Sequence, residues 1–181
     1  MPRTTVETSQ EKTVGPRSDR GFAAFYEAES PGVLALLYSL VGLKAVAEDL
    51  AQEAFLRAYR DWHAVGEHPR PDAWVRTVAV NLARSRFRRL AAEARALTRL
   101  SGRGGTETPA ALSEESERFW AAVRRLPARQ AQAVALHYAD DQSVADIARI
   151  MGCAEGTVKA HLHQARMTLA RHLPVPQEGA P

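Results

Sequence analysis

Cysteine is almost absent from this 181-residue chain. Cys153 stands alone, so no intrachain disulfide can form, which fits a reducing compartment. Long apolar runs are missing as well. The longest, GVLALLYSLVGL, is too short to cross a bilayer as a helix, so no membrane insertion is expected. The opening residues, MPRTTVETSQEKTVGPRSDR, are polar and lack the apolar core of a secretory signal. No stretch alternates apolar and polar residues as a half-buried strand does, and no internal repeat is visible. These absences leave a soluble, cytoplasmic, all-α chain as the expectation, with no metal and no cofactor.

Charge is present but unevenly spread. The net charge is only +3. Residues 66–103 nevertheless carry nine Arg against Glu67, Asp72 and Glu93, a surplus of six. Residues 104–119 reverse the sign, with four Glu against Arg118. One segment is therefore suited to a polyanion and its neighbour is not.

Helical periodicity starts near Asp19. Ser30-Pro31 reads as a cap followed by proline at a first helical position, so a new helix is expected there, ending near Gly42. A third helix runs from about Lys44 to Trp62. HAVGEHPRP, residues 63–71, reads as a loop. A fourth helix runs from about Asp72 into the 90s. SGRGGTETPAALS has the composition of a linker. Four shorter helices follow, near 114–125, 128–138, 143–151 and 155–172. The expected plan is two small helical domains joined by a flexible linker. Residues 1–18 form a disordered tail, 19–94 the first domain, 95–112 the linker, 113–173 the second domain and 174–181 a second tail.

In the second domain, Val144, Ile147, Ala148 and Met151 share one helical face, and Gly152 suits a left-handed stop. The next helix places Val158, Leu162, Ala165 and Leu169 on one stripe. Lys159, His163, Gln164 and Met167 point away from it, flanked by Thr157 and Arg166. Two short helices with a tight glycine turn make a helix-turn-helix, whose second helix can enter a major groove. Arg124, Arg125 and Arg129 upstream can add phosphate contacts. A plain helical hairpin with a solvated face carries the same pattern. His161 and His163 do not make a metal pair, because residues two apart on a helix do not face each other.

In the first domain, Val46, Leu50, Ala54, Phe55, Tyr59 and Trp62 form a wide apolar arc, opposite Asp49, Gln52, Glu53 and Arg60. Two acids one turn apart repel, so Asp49 and Glu53 do not serve helix stability. They read either as a solvated face or as a docking surface for a basic partner. In the fourth helix Trp74, Val75, Val78, Ala79 and Leu82 form the core side. Thr77, Asn81, Arg84 and Arg88 lie on one stripe beside Trp74. Guanidinium groups take phosphates, an amide reads a base edge and an aromatic ring stacks an unpaired base. A basic solvated helix end over a buried Trp74 is the alternative.

These pieces resemble the bacterial extracytoplasmic-function (ECF) sigma factors. AEDLAQEAFLRAYRDW is similar to their polymerase-binding helix, and PDAWVRTVAVNLARSRFRR to their promoter-melting and −10-reading helix. LPARQAQAVALHYADDQSVADIARIMGCAEGTVKAHLHQAR resembles their −35-reading domain. The resemblance covers roughly residues 21–92 and 113–173. It implies that Asp49, Gln52 and Glu53 grip a coiled coil of the largest subunit of core RNA polymerase. It implies that the loop from His63 to Pro71, including Arg70, joins Asn81 and Ser85 in a pocket for a flipped base, with Trp74, Thr77, Arg84 and Arg88 along the same −10 surface. It assigns Arg129, Thr157, Lys159, His161, His163, Gln164 and Arg166 to the −35 contact, with that domain near the polymerase flap. It also implies promoter DNA and an anti-sigma factor as partners, and no enzymatic activity of the chain's own. Ala154, Ala160, His161 and Gln164 depart from the family's usual Ser and Arg, which makes this recognition helix less basic. Two rival readings remain at this point: a stand-alone helix-turn-helix regulator, and a helical carboxylate metalloenzyme.

Overall fold

Each helix starts or stops where the sequence supplies a cap, a break or a buried partner. The computed structural model describes residues 16–97 and 113–172. Among the described residues there are eight helices and no strand. They are α1 (Pro16–Val41), α2 (Lys44–Arg60), α3 (Trp62–Val65), α4 (Pro71–Leu97), α5 (Glu114–Val123), α6 (Ala128–Tyr138), α7 (Val144–Met151) and α8 (Glu155–His172). Pro71 opens α4, where a missing N–H costs nothing. Ser113 caps α5, its hydroxyl accepting from the Ser116 N–H at 3.2 Å.

One expected break does not occur. Pro31 lies inside α1, which runs unbroken past Ser30. Proline forfeits a helix bond and disfavours that path, but the apolar residues on both sides outweigh it. Phe22 and Phe25 upstream pack on Tyr59, Phe55 and Trp62. Val33, Leu36, Leu37 and Leu40 downstream are buried. These positions recur at helical spacing, so one continuous helix puts them all on the same side. A second difference concerns the loop expected over 63–71. Its first residues continue as the helical turn α3, anchored by buried Val65.

The inner wall of α2 is a line of small residues: Ala47, Ala51, Ala54 and Ala58 are buried, with Phe55 beside them. Small side chains let α1 and α4 approach closely. Of the bulky residues expected to make this wall, Val46, Leu50, Tyr59 and Trp62 are only half-buried. In α4 the buried positions are Ala73, Val75, Arg76, Ala79, Val80 and Ala83. Trp74, Val78 and Leu82 pack against that core from its edge.

The two modules, α1–α4 and α5–α8, are packed on each other. Their buried side chains form one continuous cluster. Helix α7 lies against α4, and α5 and α6 lie against α1. The tails expected at 1–18 and 174–181 fall almost wholly outside the described residues; residues 16–18 are the first turn of α1. Residues 95–97 of the expected linker belong to α4, and 98–112 also lie outside the described residues.

Candidate nucleic-acid and polymerase surfaces

Helices α7 and α8 form a helix-turn-helix with a defined turn. Ser143 caps α7 by accepting from the Asp146 N–H at 3.1 Å, and its hydroxyl donates to Asp146 Oδ2 at 2.5 Å. Gly152 ends α7 with φ 62° and ψ 47°. The Cys153 N–H reaches Ala148 O at 3.0 Å and the Gly152 N–H reaches Arg149 O at 3.2 Å, which is a Schellman stop. Arg129 of α6 closes the same end by donating to Met151 O at 3.1 Å.

Helix α8 has two sharply different sides. Val158, Leu162, Ala165 and Leu169 are buried, as their spacing predicts. Thr157, Lys159, His163, Gln164 and Arg166 are exposed. Lys159 lies 4.0 Å from Glu155, and Gln164 Oε1 accepts from Gln130 Nε2 at 3.2 Å. Arg129 is exposed, although its guanidinium is engaged with Met151. His161 differs from the others: it is half-buried between the two sides, and its buried Nδ1 has no hydrogen-bond partner among the described residues.

On α2, Asp49 and Gln52 are exposed and Glu53 is partly so. Arg57 Nε donates to Glu53 Oε1 at 2.8 Å, one helical turn away. A shallow apolar groove lined by Phe22, Tyr26, Phe55, Leu56 and Tyr59 opens beside Gln52. Tyr26 and Leu56 are among the exposed large apolar side chains. The acidic stripe therefore borders an apolar patch, a combination that bulk solvent does not favour.

The stripe on α4 is not uniformly open. Asn81 and Arg88 are exposed, while Thr77, Arg84 and Ser85 are half-buried. Arg88 Nη2 donates to Ser85 Oγ at 3.2 Å. Thr77 Oγ1 is 2.8 Å from Ala73 O and 3.3 Å from Ile150 O of α7. His63 is exposed on α3. Arg70, just before α4, pairs with Asp72 at 2.8 Å and with Asp146 of α7 at 2.7 Å. The hydrogen bonds it donates to those two carboxylates raise the guanidinium above its ordinary range. Trp74 is half-buried against the core.

These surfaces match known proteins in the same order. Residues 25–93 match the family model "Sigma-70 region 2", and residues 116–169 match "Sigma-70, region 4". The chain is 34% identical over 144 residues to the ECF RNA polymerase sigma factor EcfG of Rhodopseudomonas palustris, covering 79% of this chain and 80% of that one. The chain belongs to the ECF sigma factors. It is also 36% identical to the sigma factor BldN of Streptomyces coelicolor, spanning 84% of itself and 60% of that relative's length. In three dimensions this sigma factor superposes on the sigma factor RpoE of Bartonella quintana, solved in complex with the anti-sigma factor NepR. The TM-score is 0.71 at 28% identity, covering 87% of this chain and 99% of that one.

One arginine of this sigma factor, Arg76, departs from the basic stripe around it. It sits within the basic helix yet is buried, paired with Asp140 and with Glu29 at 2.6 Å. Burial alone would lower its pKa, but hydrogen bonds to Asp140 and Glu29 carry it above the ordinary arginine range. Two carboxylates share one guanidinium. Burial accordingly pushes Asp140 up, against the pull of Arg76 and with help from Glu29 and Asp72. A signal was available: Arg76 falls on the stripe of Ala73, Val80 and Ala83, which is otherwise apolar.

Proposed function

We propose that this sigma factor docks on core RNA polymerase through the outer face of α2 and reads a promoter at two places. Asp49, Gln52 and Glu53, with the apolar groove beside them, take a basic coiled coil of the polymerase's largest subunit. The α3–α4 segment, through His63, Arg70, Trp74, Thr77, Asn81, Arg84, Ser85 and Arg88, takes the separated non-template strand of the −10 element. Helix α8 takes the −35 element in the major groove, through Thr157, Lys159, His163, Gln164 and Arg166, with Arg129 and His161 at its border. Residues 19–94 and 113–173 are the two working units, the second placed near the polymerase flap. An anti-sigma factor, the kind of partner bound to the Bartonella relative, is a further candidate partner. The chain works in the cytoplasm, where polymerase is.

The single observation that carries this reading is the pairing of a helix-turn-helix, whose second helix keeps Thr157, Lys159, His163, Gln164 and Arg166 in solvent, with an unrelated acidic and apolar face on α2. Removing the acids tests it. Asp49→Ala with Glu53→Ala should abolish co-purification with core polymerase and run-off transcription, while helicity by circular dichroism stays unchanged. Undiminished capture by the polymerase sinks the docking assignment.

A further inference from the structure

The end of α1, the middle of α4 and the α5–α6 corner enclose a cavity of about 420 Å³. That is the size of a small-molecule site, and such sites favour the joints between packed units. Leu40, Ala83, Leu126 and Ala131 line it and are buried, so its floor is apolar. Helix α4 supplies one wall. Arg84, Phe87 and Arg88 stand three and four residues apart, so one helix face sets an exposed aromatic ring beside two guanidiniums.

The charge of that wall is unanswered. None of the described residues lining the cavity is acidic. Arg84 is half-buried and has no carboxylate partner among the described residues; Arg88 donates only to Ser85 Oγ, at 3.2 Å. Arg124, on the opposite wall, differs. Glu117 and Ser39 O hold it, and it lies across Gly42, where an added Cβ would stand 2.8 Å from the guanidinium carbon. Arg124 is a fixed part of the wall, and Arg84 and Arg88 are the charges left for something else.

Gln132 of α6 adds an independent sign. It lines the same cavity, is 4% exposed, and its buried Oε1 has no hydrogen-bond partner among the described residues. A buried acceptor that has given up its water needs a donor in return. One water molecule would serve Gln132 but would leave the apolar floor and the two arginines as they are. A ligand with a flat apolar body, one anionic group and one N–H or O–H donor serves all three.

We infer that this cavity is a binding site for a small aromatic anion. The ring lies on Phe87 and the apolar floor, the anionic group meets Arg84 and Arg88, and the donor reaches Gln132 Oε1. Guanidinium groups suit the anion because their donors are planar and permanently charged. Binding needs neither polymerase nor promoter, so its test is independent of the function proposed above. One consequence does rest on the reading of α4 as the −10 helix: the ligand and a DNA strand contend for Arg84 and Arg88.

The test titrates the full chain with 8-anilinonaphthalene-1-sulfonate, which joins flat rings, an anionic group and an N–H in one fluorescent probe. One molecule per chain should bind and saturate. Arg84→Ala and Gln132→Leu should each weaken binding about tenfold, with helicity by circular dichroism unchanged. Arg118→Ala, on the exposed side of α5, should leave binding as it is. N-phenyl-1-naphthylamine, which lacks the sulfonate, should bind the parent and Arg84→Ala equally, and more weakly than the sulfonate binds the parent. If Gln132→Leu loses helicity, Arg84→Ala with the two probes decides alone. Sulfonate binding that Arg84→Ala leaves unchanged overturns the site. Uptake of several molecules per chain without saturation is adsorption to apolar surface and overturns it too.

Discussion

Helix α8 turns Val158, Leu162, Ala165 and Leu169 inward and leaves its polar side in solvent. Helix α4 also has a polar stripe, but Thr77 and the adjoining Arg70 are held by α7, and Arg84 and Ser85 are half-buried. Both helices carry side chains suited to nucleic acid, and those of α8 are the more exposed. The difference lies in their neighbours. Helix α8 packs on α5, α6 and α7 of its own module, whereas α4 also packs on α7 of the other. How far a polar stripe is exposed is thus set by the neighbours of the helix that bears it.

The contrast can be broken or sharpened in three steps. The largest effect should come from the inward side of α8. Leu162→Ala should lower stability by about 2–5 kcal/mol in urea unfolding, because Leu162 is buried in the shared core. A loss as small as that of a surface substitution would mean that α8 is not packed as described. A smaller effect, confined to DNA, should follow on the outward side. Gln164→Ala should cost about 1–3 kcal/mol on the preferred −35 sequence only. Arg166→Ala should weaken every sequence alike and lower the salt slope by about 1. Holoenzyme binding to a −35 library at several salt concentrations separates the two. The reverse pattern would mean that α8 sits differently in the groove.

The smallest effect concerns the contact that makes α4 differ from α8. The Ser143 hydroxyl, with Arg70 and Arg149 adding to it against slight burial, holds the Asp146 carboxyl below the ordinary carboxylate range. A carboxylate whose pKa is lower folded than unfolded adds stability above its unfolded value and gives it up as pH falls through the folded one. Asp146→Asn should therefore lower the urea midpoint slightly at neutral pH. The difference from the parent should shrink below about pH 4. A difference unchanged by acid would mean that the Asp146 charge contributes nothing to the contact.

The helix-turn-helix was legible in the sequence because everything that defines it is local: Ser143 as a cap, an apolar face repeated within eight residues, and Gly152 as a left-handed stop. The outward set on α8 followed from the same geometry. His161 was less legible, because its position at the edge of the buried stripe depends on how α8 is rolled against its neighbours. Pro31 was misread for a related reason. Its local signal is a break, and only the aromatic cluster around Phe22 and Phe25 overrides it. Of the Ala47, Ala51, Ala54 and Ala58 wall only Ala54 was legible, because bulky residues dominate any reading by hydrophobicity, while close helix contact selects small ones. Arg76 looked like Arg84 and Arg88 by residue type, and only its place on the otherwise apolar stripe of Ala73, Val80 and Ala83 set it apart.

The contact of Arg76 with Asp140 joins positions 64 residues apart in the chain. By contrast, α1 and α2 are joined by two residues, Gly42 and Leu43. Closing a long loop costs more chain entropy than closing a short one, and local contacts form sooner. The α1–α2 hairpin is therefore an early event in folding and the Arg76–Asp140 pair a late one, an order that pulsed hydrogen-exchange labelling reads as α2 amides protected before those of α7. During synthesis the order is stricter still, since α4 leaves the ribosome before Asp140 exists. Every newly made molecule thus passes through a period in which its Thr77 and Arg70 are uncovered, which ends only once α7 has been made and has packed on α4.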